Sequence, residues 1–242
     1  MKRYKKEEPL SYTLGASLTF QLLELMPELC EEVCIHPKMA EGETGEKAKA
    51  LCQRHHIPCS VSEKPFHILS PKENCFLIGS FQKFSRPLES NANHVVLVNP
   101  SNAGNLGTIL RSCLGFGYKN IAIIRPAVDL FDPKTVRASM GAVFGLNVCY
   151  YDTFEDYTKA HSDTCGRHHY PFMLQTDTPL HTATFASPHA LIFGNESSGL
   201  PSTYLEIGEP IIIRHGHDID SLNLPIAVSV ALYEATKGQF DT

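Results

Sequence analysis

The sequence predicts an α/β protein whose second part is built on a mostly parallel sheet covered on both faces. Three observations carry that prediction. Helix-like and strand-like periodicities alternate along the 242 residues. Strand-length runs of the second part, such as His94-Val95-Val96-Leu97-Val98, are short and apolar, as strands buried on both faces are. Segments with helical spacing lie between most of them, which suits parallel neighbours joined by crossovers.

Taken in order, residues 14–26 read as a helix, 32–35 as a strand, 43–55 as a helix and 75–82 as a strand. Residues 85–93 then turn polar, with Pro87 and two asparagines, and mark a boundary between domains 1–90 and 91–242. Beyond it, strands are predicted at 94–98, 121–124, 148–151, 172–174, 190–193 and 211–214, and helices at 105–114, 133–143 and 222–237. There is no internal repeat and no low-complexity tract.

A hydrophobic content of 43% supports real cores. The charged start and the interruption of the apolar stretch 14–26 by Gln21 and Glu24 argue against a signal peptide, and no apolar run is long enough to make a membrane a partner. The eight cysteines include no C-x-x-C pair and read as reduced thiols of a cytoplasmic protein. Net charge is −5, with 12 basic and 12 acidic side chains in residues 1–90 against 9 and 14 in residues 91–242. That balance argues against indiscriminate coating of nucleic acid; Arg111, Lys119, Arg125, Lys134 and Arg137 are concentrated in one stretch, which reads either as a local basic patch or as scattered surface charge.

Three segments stand out. Asn99-Pro100-Ser101-Asn102-Ala103-Gly104-Asn105-Leu106-Gly107 follows a strand and opens a helix, which would carry Asn105 and Arg111 along its first two turns. Alone this is a turn. It has neither G-x-G-x-x-G nor a Walker lysine, which excludes the dinucleotide and P-loop patterns. Phe193-Gly194-Asn195-Glu196-Ser197-Ser198-Gly199-Leu200 is a glycine-containing loop with a carboxylate at the carboxyl end of a buried strand, where open α/β sheets bind ligands. Glu196 could equally be an ordinary loop charge. Ile211-Ile212-Ile213-Arg214 leads through a polar loop to Ser221-Leu222-Asn223-Leu224-Pro225, where Ser221 is placed to cap a buried helix. Capping explains Ser221 but not Asn223.

Together the three segments resemble the signature motifs of the SpoU/TrmH family, a branch of the SPOUT methyltransferases. Asn-x5-Arg, Phe-Gly-Asn-Glu-x-x-Gly-Leu and Ser-Leu-Asn occur in the family's order, over about residues 94–240, and residues 132–145 look like its internal Arg-Ala-Ser-x-Gly stretch. The resemblance implies an α/β trefoil-knot domain at 91–242. It also implies a small α/β, L30e-like RNA-binding domain at 1–90. The expected activity is methylation of a ribose 2′-hydroxyl of tRNA or rRNA by S-adenosylmethionine, in a homodimer assembled through the knot domain and without a metal. Cofactor contacts would come from Phe193, Gly194, Asn195, Glu196, Gly199, Ile213, Ser221, Leu222 and Asn223. Arg111 would act in catalysis, with Asn105, Glu196, Ser221 and Asn223 orienting it or the ligand. Because guanidinium holds its proton, Arg111 is expected to act electrostatically rather than as a base. Two alternatives share the fold: a non-catalytic RNA-binding protein, and an enzyme methylating a base.

Blander readings apply elsewhere. His215, His217, Asp218 and Asp220 could ligate a metal on spacing alone, but lack a clear fourth anchor. His55-His56 and His168-His169 read as solvent-facing pairs, and Lys2, Arg3, Lys5 and Lys6 as a solvated basic start.

Overall fold

The structure, a computed structural model, describes residues 1–70, 74–161 and 166–240. Seven cysteines are free thiols there, and Cys165 lies outside the described residues. Among the described residues no helix is long and apolar enough to cross a membrane.

In chain order, the first elements are β1 (Leu10–Leu14), α1 (Ala16–Leu25), β2 (Cys30–Ile35), α2 (Glu43–Arg54), β3 (Cys59–Val61), α3 (Lys64–Leu69) and β4 (Leu77–Gln82). They are followed by β5 (His94–Val98), α4 (Ala103–Gly115), β6 (Asn120–Ile124) and α5 (Pro133–Ala138). The chain continues with β7 (Asn147–Tyr151), α6 (Phe154–His161), β8 (His168–Pro171), β9 (His189–Phe193) and α7 (Leu224–Thr236). Two compact units result: Met1–Phe84 with Asp129–Gly145, and Ser85–Val128 with Leu146–Thr242.

The first unit holds a four-stranded sheet in the order β1-β4-β2-β3, with β4 antiparallel to β1 and β2, and β3 parallel to β2 at the edge. Leu77, Ile78 and Phe81 of β4 are fully buried, and α1 buries Leu18, Leu22 and Leu23 at helical spacing. The segment Asp129–Gly145, which the sequence places with the second domain, folds in this unit. Its Phe131 and Phe144 set their rings edge-on to Phe81, at 6.2 and 5.3 Å between centroids, and the Ser11 hydroxyl donates to the Phe131 carbonyl. The helix expected at 133–143 stops at Ala138 because Met140 and Gly141 take φ of 50° and 86°, and a 3-10 turn at Ala142–Gly145 follows.

The second unit is an all-parallel sheet in the order β7-β6-β5-β9-β8. All residues of β5, β6 and β9 are buried, which is why their runs are apolar almost throughout. From β5 the chain builds outward through β6 and β7, then returns to build β8 and β9 on the other side. The strand order therefore reverses between β5 and β9, the kind of switch point at whose carboxyl ends open α/β sheets bind ligands.

Two expected strands differ. The run expected at 172–174 begins earlier, as β8 at His168–Pro171. The run at 211–214 makes only isolated bridges, Ile211 to Phe172 and Ile212 to Pro179, because Pro179 and the preceding Pro210 lack the N–H groups that would extend the pairing. Ser221 does not cap α7: Asn223 occupies that position, no side chain accepts a capping bond there, and Pro225 sits in the first turn. Strands β1 and β3 and helices α3 and α6 were not anticipated. His169 is half-buried against the Phe154 ring, 5.6 Å away, rather than solvent-facing.

Candidate functional site

The loop after β9 is pinned to the start of α4 by one carboxylate. Glu196 Oε2 accepts from the Ser101 N–H at 3.0 Å and the Ser101 hydroxyl at 2.8 Å. Its Oε1 accepts from the Asn102 N–H at 3.1 Å and from Asn105 Nδ2 at 3.2 Å. A negative charge here faces the unpaired N–H groups and the positive end of the α4 dipole, worth about 0.3–1 kcal/mol at an exposed site. Partial burial alone would raise the Glu196 carboxyl, but the hydrogen bonds from Ser101 and Asn105 outweigh it and hold the group below the ordinary carboxylate range. Asn102 completes the helix start by accepting from the Asn105 N–H at 3.0 Å.

Asn195 shapes the same loop. Its Nδ2 donates to the Asn99 carbonyl at 2.8 Å, while its Oδ1 accepts from the Ser197 N–H at 2.9 Å in an Asx turn. Asn195 and Gly199 exchange backbone hydrogen bonds at 3.0 and 3.2 Å, and Gly199 sits at φ +66°. Gly194 has no room for a side chain, since a Cβ there would lie 2.1 Å from the Gly199 carbonyl carbon and 2.3 Å from the Leu200 nitrogen. Gly194→Ala is therefore expected to destabilise the second unit by about 1–3 kcal/mol, read as a lower urea midpoint. An unchanged midpoint would show that the loop tolerates the opening.

Beside this loop lies a cavity of about 300 Å³. The stacked rings of Phe172 and Phe193, 4.5 Å apart, form part of its wall, with Leu200, Ile213, Leu222 and Leu224. Polar groups reach it from Glu196, Asp220, Ser221 and His215. Apolar walls with a few convergent polar groups suit a small organic ligand bearing positive charge and hydrogen-bonding groups.

The structure brings Phe193, Gly194, Asn195, Glu196, Gly199, Ile213, Ser221 and Leu222 to this one cavity. Asn105 stands behind it, on Glu196. Asn223 and Arg111 do not line it. Asn223 is exposed at the start of α7, and Arg111 is exposed on α4, where it makes no hydrogen bond or ion pair with the described residues. The neighbouring Ser112 hydroxyl meets that of Ser229 on α7 at 2.8 Å, so the two helices that bear Arg111 and Asn223 pack together. Met173, Leu174, Gln175 and His215 also line the cavity and were not foreseen. His215, which spacing alone offers to a metal, lies in this cavity wall.

The family model described as the SpoU rRNA methylase family matches residues 92–233. An uncharacterized tRNA/rRNA methyltransferase of Synechocystis sp. is 32% identical over 147 residues, covering 60% of this chain and 53% of that protein. The 23S rRNA (uridine(2479)-2′-O)-methyltransferase of Streptomyces viridochromogenes is 28% identical over 160 residues, covering 62% and 54%. The chain thus spans about half the length of the curated relatives it matches. The crystal structure of a SpoU methyltransferase from Streptomyces viridochromogenes, in complex with the cofactor AdoMet, matches with a TM-score of 0.81 over 96% of this chain and 91% of that one. At 18% identity that likeness shows the fold: mixed α/β, of the SPOUT class.

Proposed function

The chain belongs to the SpoU rRNA methylase family, and from that premise we propose that it transfers the methyl group of S-adenosylmethionine to a ribose 2′-hydroxyl of a transfer or ribosomal RNA. The observation that carries this reading is the convergence of two motif segments, some twenty residues apart in the chain, on one cavity at the carboxyl end of β9, with the third held against the same loop by Glu196. The residues present fit the cofactor. Phe193, Leu200, Ile213, Leu222 and Leu224 offer apolar surface for the adenosine, and Asp220 offers negative charge to a cationic sulfonium or amine. Bound there, S-adenosylmethionine supplies an electrophilic methyl group.

The chain's own residues do the rest. Glu196 and Asn105 fix the loop geometry, so that the cavity wall is in place before ligand arrives. Ser221 contributes a hydroxyl at the rim, and Asn223 an exposed amide beside it. Arg111, exposed and uncommitted to any described partner, pairs with the RNA phosphate or with the developing alkoxide and makes the 2′-hydroxyl more acidic by electrostatic stabilisation of its anion. The first unit serves substrate recognition, with Lys2, Arg3, Lys5 and Lys6 exposed to phosphates. We place the protein in the cytoplasm, where its thiols stay reduced.

The assay uses labelled S-adenosylmethionine and RNA from cells lacking the protein, followed by nuclease digestion. A 2′-O-methylated nucleoside is expected. A base-methylated product would move the chain to another SPOUT activity, and no product with any RNA would leave a binding protein.

A second copy of the chain is the proposed partner. Ile226, Val230 and Tyr233 are exposed at spacings of four and three along α7, with Leu114 of α4 exposed too, an apolar face on two packed helices. Ile226→Asp is expected to convert the dimer to a monomer in sedimentation velocity. A dimer unchanged by that substitution would place the interface elsewhere.

A further inference from the structure

Three cysteines of the first unit lie near one another without any role in the activity proposed above. Two of them are in contact. Cys52 is buried on the last turns of α2, and Cys59 is exposed at the start of the edge strand β3. The chain reverses between them within six residues. Ile57 N–H donates to the Cys52 carbonyl at 2.8 Å, His56 takes φ 56°, and the Pro58 carbonyl accepts from the Val33 N–H at 2.9 Å. That turn delivers Cys59 opposite Val33 and sets its thiol beside the Cys52 thiol. The third, Cys30, is buried at the start of β2, where its thiol meets the Glu32 carbonyl at 3.9 Å.

From this geometry we propose that Cys52 and Cys59 form an oxidative modification site that reacts with a hydroperoxide at Cys59 and closes to a Cys52–Cys59 disulfide. The exposed sulfur is the one an oxidant can reach, and the buried one is already in place to resolve it. In the first step the Cys59 thiolate attacks a peroxide oxygen. The O–O bond breaks, the sulfur is oxidised to the sulfenic acid, and hydroxide or alkoxide leaves. In the second, Cys52 sulfur attacks the Cys59 sulfur, the S–S bond forms, the S–O bond breaks, and the hydroxyl departs as water with the Cys52 proton. Two thiols are oxidised and one peroxide is reduced. A dithiol reductant reverses the change by exchange.

The surroundings divide the labour in the same sense. The Cys52 thiol beside it, aided by the Lys49 ammonium one turn earlier on α2, lowers the Cys59 thiol to about 7, whereas the neighbouring Cys59 and burial push Cys52 up. Cys30 is pushed up to about 12 by burial and by Glu31, which makes it a poor competitor.

The test uses the whole reduced protein, with hydrogen peroxide as the probe at pH 7 and peptide mapping without reductant. Trypsin cleaves after Arg54, so Cys52 and Cys59 leave in separate peptides unless a disulfide joins them. The expected result is that joined pair, lighter by two hydrogens and split by a dithiol, with Cys59 reacting roughly tenfold faster than an ordinary thiol. In Cys52→Ser, dimedone should trap a sulfenic acid at Cys59 that the unaltered protein does not accumulate. Equal trapping in both proteins, a disulfide to Cys30 instead, or reaction at Cys59 no faster than at the other cysteines would each overturn the proposal. The mapping of the unaltered protein stands whether or not the variant folds.

Discussion

Arg111→Ala is expected to lower the methyl-transfer rate about 100- to 1,000-fold while leaving the Kd for S-adenosylhomocysteine within about twofold. The asymmetry follows from where the side chain sits. Arg111 is exposed on α4, is not a lining residue of the cavity, and holds no described residue in place. Alanine at an exposed helix position is favourable for the helix, so the fold should lose at most about 0.5 kcal/mol. In the role proposed for Arg111, what disappears is a positive charge near the point where negative charge develops on the 2′-oxygen. Rate constants with saturating RNA and calorimetric titration of the cofactor product separate the two effects. Equal loss of binding and rate would mean that Arg111 shapes the cavity instead, and an unchanged rate would remove it from the chemistry.

The second large effect is acid lability of the second unit, expected to lose about 4 kcal/mol between pH 7 and pH 5. Two histidines at the amino ends of the strands are buried in the neutral form. His94 Nε2 donates to the Glu89 carbonyl and Nδ1 accepts from the Tyr157 hydroxyl, each at 2.9 Å. His189 repeats the arrangement, Nδ1 to the Ala186 carbonyl at 2.9 Å and Nε2 from the Tyr118 hydroxyl at 2.6 Å. A carbonyl can only accept, so the ring nitrogen facing it carries the proton and the other nitrogen accepts a hydrogen bond from its tyrosine.

Burial first, and the Arg167 guanidinium after it, lower His94 to about 3 and His189 to about 4. Both values lie below the ordinary 6.5. The unfolded chain therefore binds more protons as soon as pH falls below 6.5. Stability is whole above that point and is lost progressively through 4 and then 3. At pH 5, about 1.5 pH units below the unfolded value of 6.5 and still above both folded values, each ring has lost about 2 kcal/mol of its contribution. Urea unfolding at pH 7 and pH 5 measures the sum above the range in which carboxylates titrate. Coincident midpoints would mean that protonated rings find partners in the fold.

The core strands of the second unit were legible because β5, β6 and β9 are buried along their whole length and so are apolar along it. The motif segments were legible because special turns demand special residues, Gly194 having no space for a Cβ. Elements that meet the core through polar atoms escaped. In β1, Leu-Ser-Tyr-Thr-Leu alternates as a half-buried strand does, yet Ser11 and Thr13 are fully buried on hydroxyl hydrogen bonds, so its polar positions hide how much of it lies in the core. Helix α6 buries only Tyr157 and His161 among its eight residues and carries too little apolar signal. The run Ile211-Ile212-Ile213 misled in the other direction, since its isoleucines face partners outside the sheet. No local pattern could place Asp129–Gly145 in the first unit, because the contacts that hold it there join residues more than a hundred positions apart, such as Ser11 and Phe131.

The carboxylate of Glu196 also sets a clock. Its bond to Asn105 spans 91 residues, and β9 must lie against β5 before it can form. At translation speeds of about 5–20 residues per second, a nascent chain waits roughly 5–20 s after Asn105 is made before Glu196 exists to meet it. The cavity is thus among the last features to come into being on the ribosome, and a chain stalled before residue 196 would carry Arg111 on α4 without a formed cavity to serve.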